Sequence, residues 1–352
     1  MSIILFQRFK DNEVRQELNI PMGIIDDCLR KWYEHHRYYH DITHLKSLIK
    51  SIDVIKDKVM RDELDLVAIF HDVIYDPHST INEEESAKYF IKHVDESKRE
   101  CEECIRIYDA IMDTEYNFPL KDPSSDMSMI FRGFDFDIMF RLPTHALISN
   151  GMKIMKEYQY VSYPSFVQAR VDFITEAIKN TPSNAGVDNL IQYREALKTY
   201  RPKIGVYAGS FKPFHIGHLN ILEQAERIFD KVIILAAKNP DKAEDTQWDD
   251  ELRRSLPFHE IVFHEGLTTD YLKEVNEYAD VTLVRGLRDG YDLRYEANLR
   301  RFMEEMGECN IAYFQSGLTY QHISSSDLRG LKLISPLNYK KYLSTKYDYY
   351  KG

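Results

Sequence analysis

The sequence predicts two domains of different class: an all-α half over residues 1–200, then an α/β half with a parallel sheet over residues 201–352. Three observations predict this. Apolar residues recur at three- and four-residue spacing through most of the first 180 positions, as on one face of a helix. A turn-rich break, Thr181-Pro-Ser-Asn-Ala-Gly186, interrupts that pattern. Beyond residue 200, short β-branched runs alternate with helical stretches, the pattern of a parallel sheet covered by helices.

In chain order, helices are expected over Ile20–Tyr39, His44–Lys58, Arg61–Phe70, Asn82–Val94, Lys98–Met112, Pro143–Gln159 and Tyr163–Asn180. Asp76-Pro-His-Ser-Thr80 marks a polar turn between two of them. One more helix, Asp188–Thr199, leads to a boundary near Tyr200–Lys203. Strands follow at Ile204–Tyr207, Val232–Ala237, Ile261–His264, Val281–Arg285 and Asn310–Gln315.

Bulk composition narrows the function. At 352 residues the chain is long for one core, which favours two domains. Its 46 basic and 57 acidic residues give a net charge of −11, which argues against a nucleic-acid partner while leaving room for a local anion pocket. No apolar run reaches spanning length and the first residues are too short for a signal peptide, so a cytoplasmic protein without a membrane partner is expected. Cys28, Cys101, Cys104 and Cys309 suggest no disulfide framework; the Cys101-x-x-Cys104 pair lies in a charged helical stretch without a second pair.

The segment Tyr207-Ala-Gly-Ser-Phe-Lys-Pro-Phe-His215-Ile-Gly-His218 is the most informative stretch. It reads as strand, glycine turn, helix, and puts two histidines at a helix N-terminus, where backbone N–H groups and the dipole favour phosphate. Four more elements follow, most of them at strand ends: Lys238-Asn-Pro-Asp-Lys242, Val284-Arg-Gly-Leu-Arg288, Tyr295-Glu296 and Ile323-Ser-Ser-Ser326. Ligands of open α/β sheets bind beyond the carboxyl ends of strands. Lysine, two arginines, three hydroxyls and a helix end converging there can neutralise a triphosphate.

These motifs resemble phosphopantetheine adenylyltransferases, within the wider H-x-G-H nucleotidyltransferase superfamily. The resemblance covers Lys203 to about Tyr342 and rests on Gly209–Pro213, His215–His218, Asn239–Lys242, Val284–Arg288, Tyr295–Glu296 and Ile323–Ser326. It implies a Rossmann-like nucleotidyltransferase fold and AMP transfer from ATP with Mg²⁺ to a phosphorylated small molecule, 4′-phosphopantetheine. By carry-over, Ser210 and Lys242 hold the attacking phosphate and His218 donates to the α-phosphate. Arg288 and Ser324, Ser325 and Ser326 grip the β- and γ-phosphates. Arg285 lies on the acceptor side and Glu296 on the nucleotide side. Gly209, Phe211, His215, Gly217 and Gly286 shape the binding site. Three departures stand out: Lys212 replaces the family's usual acid, Ala208 its proline, and His215 occupies the first signature position. Lys212 and His215 keep nicotinamide mononucleotide or another phosphorylated small molecule open as an alternative acceptor. The relatives assemble as oligomers, which implies a homo-oligomer, a hexamer by the same resemblance. Aminoacyl-tRNA synthetases share the H-I-G-H string, but the small domain, the acidic charge and the missing tRNA-binding region argue against them.

The helical half carries His40-Asp-Ile-Thr-His44, Phe70-His71-Asp72 and Asp135-Phe-Asp137. Mixed imidazole and carboxylate groups suit a transition ion, which would generate hydroxide for attack on a phosphate ester. This half resembles HD-domain metal-dependent phosphohydrolases through Tyr39-His40-x-x-x-His44, Phe70-His-Asp-Val-Ile-Tyr-Asp-Pro77 and Asn82-Glu-Glu-Glu-Ser-Ala87, over most of residues 10–200. The resemblance implies an HD-type helical fold and a site for Mn, Fe, Ni, Co or Zn. It implies His44, His71, Asp72 and Asp137 as ligands, with His40 and Glu84 lining the site. Asp135 competes for the last place, and the family's D-x-D-L element, here Asp135-Phe-Asp-Ile138, favours Asp137. A histidine expected after the helix ending at Met112 is replaced by Asp113-Thr-Glu115. The expectation is a bifunctional enzyme; the alternative makes the helical half a nucleotide-sensing or scaffolding module.

Overall fold

The computed structural model describes residues 3–180, 187–237, 246–307 and 310–343. The Asn239–Lys242 motif, and with it the expected phosphate ligand Lys242, lies outside the described residues, as does Cys309. By internal contacts the chain forms two units: Met1–Glu157 with Gln168–Lys198, and Tyr158–Val167 with Thr199–Gly352. This differs from a single cut at residue 200 chiefly by the stretch 158–167. Buried Lys231 supplies a reason: its ammonium donates to the carbonyls of Gln159 and Val161 (2.8 Å to the latter) and pairs with Glu260 at 3.1 Å.

The first unit is helical. Its elements are α1 (Ile3–Lys10), α2 (Glu13–Glu17), α3 (Met22–Lys31), α4 (Ile42–Ile52), α5 (Lys58–Phe70), α6 (Asn82–His93), α7 (Glu102–Met112), α8 (Asp126–Asp135), α9 (Thr144–Glu157), α10 (Tyr163–Lys179, whose first turn belongs to the second unit) and α11 (Asp188–Thr199). Helix α5 is the axis: every residue from Asp62 to Phe70 is buried. Its buried carboxylates are matched rather than left bare, Asp65 by Arg8 (2.6 Å) and Glu63 by Arg106 (2.6 Å). Unmatched, such charges would each cost several kcal/mol, roughly, in desolvation.

Two helix expectations fail here; the one over His44–Lys58 ends at Ile52, and Lys58 already starts α5. The helix expected over Ile20–Tyr39 ends at Lys31. Beyond it, buried His36 and Arg37 turn inward to hydrogen-bond the chain that leaves α5: Arg37 donates to Asp72 O (2.6 Å) and Val73 O (3.1 Å), and His36 Nε2 donates to Tyr75 O (2.9 Å). Buried carbonyls need such partners, and a continuing helix could not supply them. Helices α1, α2 and α8 were not anticipated.

The second unit is α/β, with β1 (Lys203–Gly209), α12 (Ile216–Ala225), β2 (Lys231–Ala237), α13 (Thr246–Ser255), β3 (Ile261–His264), α14 (Thr268–Asn276), β4 (Asp280–Leu287), α15 (Gly290–Met306), β5 (Ile311–Gln315), α16 (Ser325–Ile334) and α17 (Pro336–Lys340). Among the described residues the strands form one sheet in the order β3-β2-β1-β4-β5, parallel throughout. All five expected strands are present to within two residues at each end. The order reverses between β1 and β4, which register Ile204 on Val281 and Tyr207 on Val284. A crevice opens beyond their carboxyl ends, where such sheets bind ligands. No helix among the described residues is long and apolar enough to cross a membrane.

Candidate functional site

A cavity of about 520 Å³ occupies the β1/β4 crevice. Its wall comes from the end of β1 and its turn (Tyr207 to Phe211), the start of α12 (His215, Gly217, His218), the end of β4 (Arg285 to Arg288), α15 (Asp292, Tyr295, Glu296), Ser316 after β5, and Ser324, Ser325, Ser326 and Arg329 at α16. Every described site residue expected in the second half therefore meets in one space.

The turn after β1 is held by aromatic packing. Phe211 adopts φ +48°, a left-handed conformation that costs a non-glycine residue about 1 kcal/mol. Its buried ring is wedged edge-on against Tyr207 (5.0 Å between centroids) and His218 (5.1 Å). Ser210 beside it is exposed at the cavity mouth.

His215 turns out to be an N-cap. Its Nδ1 accepts from the N–H groups of Gly217 (3.2 Å) and His218 (3.4 Å), while Ile216 N–H bonds Tyr342 O (2.9 Å) and Leu219 N–H bonds His215 O (3.0 Å). All four amides at this helix end are occupied, which corrects the expectation that they would meet phosphate directly. A Cβ at Gly217 would stand 3.0 Å from the His215 ring, tighter than an ordinary contact, so the capping ring would have to shift. An acceptor Nδ1 leaves the proton on Nε2, and burial, with Arg288 adding to it, lowers the His215 pKa to about 4. His218 stacks on it at 3.7 Å; burial first, then His215 and Arg288, hold its pKa well below the usual value. His218 is thus a neutral imidazole at pH 7, and its buried Nδ1 has no hydrogen-bond partner.

The arginines are arranged differently from one another. Arg285 forms a two-pronged pair with Glu296 (Nε to Oε2 2.8 Å) and donates to Ala208 O (2.9 Å), so the two residues expected on opposite sides of the site are bound to each other. Arg288 forks onto Asp292 (2.9 Å twice) at the exposed rim. Arg329, which sequence reasoning missed, contacts neutral partners instead: Lys212 O (2.7 Å) and Ser326 Oγ (3.0 Å). Its charge is uncompensated by any carboxylate among the described residues. It lies one helical turn after Ser325, a spacing that was readable from the sequence.

At α16, Ser324 caps the helix through Asp327 N (3.1 Å) and Ser325 Oγ donates to Pro213 O (3.2 Å), tying the serine turn to the turn after β1. The Ser325 and Ser326 amides have no intrahelical partner, and no other bond to them is found among the described residues. This is the open helix end facing the cavity. Ser316, also missed, presents a buried hydroxyl with no partner; the rule that ligands gather beyond strand ends would have found it.

The first unit carries a second cluster. Buried α5 delivers His71 and Asp72 at its end, α4 delivers His44 three residues after its N-cap Asp41, and α8 ends on Asp135. Ligand atoms of His44, His71 and Asp72 lie within 4.8 Å of one another, and Asp135 Oδ1 lies 3.1 Å from His44 Nε2. His71 Nδ1 donates to Ala68 O (3.0 Å), so its Nε2 faces the cluster, 3.1 Å from Asp72 Oδ2. Neither His44 Nε2 nor His71 Nε2 makes a hydrogen bond. Burial disfavours charge on His71, but Asp72 and Asp135 outweigh it and raise its pKa to about 9. Two orphaned imidazole nitrogens facing two carboxylates form a donor set that fits a divalent transition ion.

Two expected residues are displaced. Asp137 starts a separate turn and faces Arg132 at 3.6 Å, so Asp135 takes the place expected for Asp137. Glu84 points outward to Lys88 (2.7 Å); Glu83 is the acid near the cluster, its pKa raised by burial first and then by Asp72 and Glu115. His40 borders the cluster, with its ring 5.9 Å from that of His44. Fully buried Glu157, missed in the sequence, fixes it: Oε2 accepts from His40 Nδ1 and Tyr75 Oη (2.8 Å each), and Oε1 from the N–H groups of Tyr38, Tyr39 and His40.

A cytidylyltransferase-like family model matches residues 206–331. Phosphopantetheine adenylyltransferase of Mycoplasma capricolum is 34% identical over 138 residues, 37% of this chain and 96% of that protein. The enzyme of that name from Streptococcus sanguinis is 34% identical over 137 residues, 37% of this chain and 82% of its own length. A solved chain from Vibrio parahaemolyticus is 19% identical, covering 40% of this chain and 93% of its own, with a TM-score of 0.31 that bears no argument.

Proposed function

The C-terminal region of this chain belongs to the phosphopantetheine adenylyltransferase family, and from that premise we propose that it transfers AMP from ATP to 4′-phosphopantetheine. An oxygen of the acceptor phosphate attacks the α-phosphorus, and the bond to the β-phosphate oxygen breaks, releasing dephospho-coenzyme A and pyrophosphate. Neutral His218 donates one hydrogen bond to the α-phosphoryl oxygen as charge builds there. The unpaired amides of Ser325 and Ser326, with Arg288 and Arg329, hold the β- and γ-phosphates. Arg285 and Glu296 brace the wall they form together. This is catalysis by alignment and preorganised charge. Mg²⁺ accompanying ATP would neutralise part of the triphosphate. The convergence of these groups on one cavity at the sheet's reversal point supports the reading most. The test is pyrophosphate release from Mg-ATP and 4′-phosphopantetheine. Release that vanishes in His218→Ala is expected. No release from folded protein would overturn the acceptor and turn attention to nicotinamide mononucleotide, with Lys212 the first residue to exchange.

For the helical unit we propose a metal-dependent phosphohydrolase with His44, His71, Asp72 and Asp135 as ligands. The bound ion would supply a hydroxide nucleophile at neutral pH. His40, oriented by Glu157, borders the position where a substrate would sit. The orphaned His44 and His71 nitrogens support this reading. Manganese-dependent hydrolysis of p-nitrophenyl phosphate that is lost in His71→Ala is expected. Metal binding without hydrolysis of any phosphate ester would favour a sensing module instead.

A further inference from the structure

Two arginines of the helical unit bury an Nε that has no hydrogen-bond partner, and neither is hydrogen-bonded to a carboxylate among the described residues. Arg170 on α10 is half-buried; its guanidinium lies over the Phe173 ring at 4.9 Å, and its buried Nε has no hydrogen-bond partner. Arg132 on α8 lies over Phe136 at 5.8 Å; its Nε is likewise buried and unbonded, and Asp137 is 3.6 Å away. The two supporting rings, Phe136 and Phe173, are themselves 6.2 Å apart. The guanidiniums are thus mounted on one aromatic platform, and Phe136 directly follows Asp135.

That platform borders the metal cluster. Tyr39 has its ring 5.2 Å from that of His44. Burial chiefly raises its phenol pKa; Asp135 adds to that and Arg170 opposes it. A buried donor without a partner is costly, and stacking on phenylalanine returns only part of that cost. An anion presented to the N–H edges would remove that cost. A guanidinium's planar fork matches a phosphate more closely than any other common anion except carboxylate.

We propose that Arg170 and Arg132 form the phosphate-gripping arm of the cluster in the helical unit, whose ligand is a small molecule with a terminal phosphate. The proposal rests on the metal-centre reading for its chemistry, but the anion site itself is separately measurable. The experiment is calorimetric titration of inorganic phosphate into the full chain carrying Arg288→Ala, which weakens the C-terminal phosphate site, with and without Arg170→Gln. Mn²⁺ binding is followed in parallel by electron paramagnetic resonance.

Arg170→Gln is expected to weaken phosphate about 10-fold or more, one charged hydrogen bond's worth, with Mn²⁺ affinity unchanged. Arg170→Lys, which keeps the charge but loses the fork, should fall between, and thermal melting checks that each variant is folded. Phosphate affinity that is the same with Arg170 and with Gln overturns the proposal, whatever Mn²⁺ does. Arg170-dependent phosphate binding without Mn²⁺ binding would leave the anion arm standing and remove the metal reading alone.

Discussion

The two sites solve the problem of holding charge in opposite ways. In the α/β unit, Arg285 is matched to Glu296, Arg288 to Asp292, and the amides opening α12 to His215 and Tyr342. What remains open is small and specific: one imidazole nitrogen, one serine hydroxyl, two amides and Arg329. In the helical unit Glu157 and the α5 carboxylates are matched, yet Nε of Arg132 and of Arg170 is unbonded and the centre holds two imidazole nitrogens, without hydrogen bonds, facing two carboxylates. The first arrangement suits a large anionic ligand that comes and goes. The second suits a cation held in place.

Each side of that comparison can be broken. The largest effect is expected at Glu157, a buried carboxylate with five donors around it. Glu157→Ala strands His40 and three amides, and should destabilise the helical unit by about 3–5 kcal/mol, read from denaturant unfolding. A loss under about 1 kcal/mol would mean that the pairing does not organise residues 38–40. Next, His218→Ala should lower kcat for AMP transfer about 10²–10³-fold with little change in ATP KM. A pure KM effect would demote it to a binding group.

The third effect is pH-linked. His215 is held neutral in the folded chain to about pH 4, against 6.5 in the unfolded chain. Below 6.5 the unfolded state therefore binds more protons, and stability falls as pH drops from about 6.5 to about 4. His215→Asn keeps a capping acceptor and should remove on the order of 2–3 kcal/mol of that fall. An unchanged pH profile would contradict the buried neutral cap. The smallest effect is expected at Arg329: replacement by alanine should raise ATP KM about 10-fold at nearly constant kcat.

How much was legible follows from the same contrast. The α/β site is written in short motifs because each element is a strand end plus the turn after it, and the sheet order gathers them without help from long side chains. Hence the strands, the histidine pair and the serine turn were readable from spacing. Arg329, one turn after Ser325, and Ser316, just past β5, belong to no motif string, and only their position relative to those elements marks them. The helical site collects its groups from α4, α5 and α8, and local sequence carries no signal for which acid of Asp135-Phe-Asp137 ends up facing His44. Helix α8 decides it: the helix ends on Asp135, and the chain turns before Asp137. The same applies to Glu83 and Glu84, adjacent on α6 and about 100° apart around it. Glu157 was invisible because its partners lie 82 to 119 residues away.

The most direct test of two separately built sites is Mn²⁺ binding to the full chain in wild type, Asp135→Asn and Asp137→Asn. The account predicts one tight site in wild type and in Asp137→Asn, and a loss of roughly 100-fold or more in Asp135→Asn, as for removal of a direct ligand. Loss in Asp137→Asn with Asp135→Asn intact would contradict it.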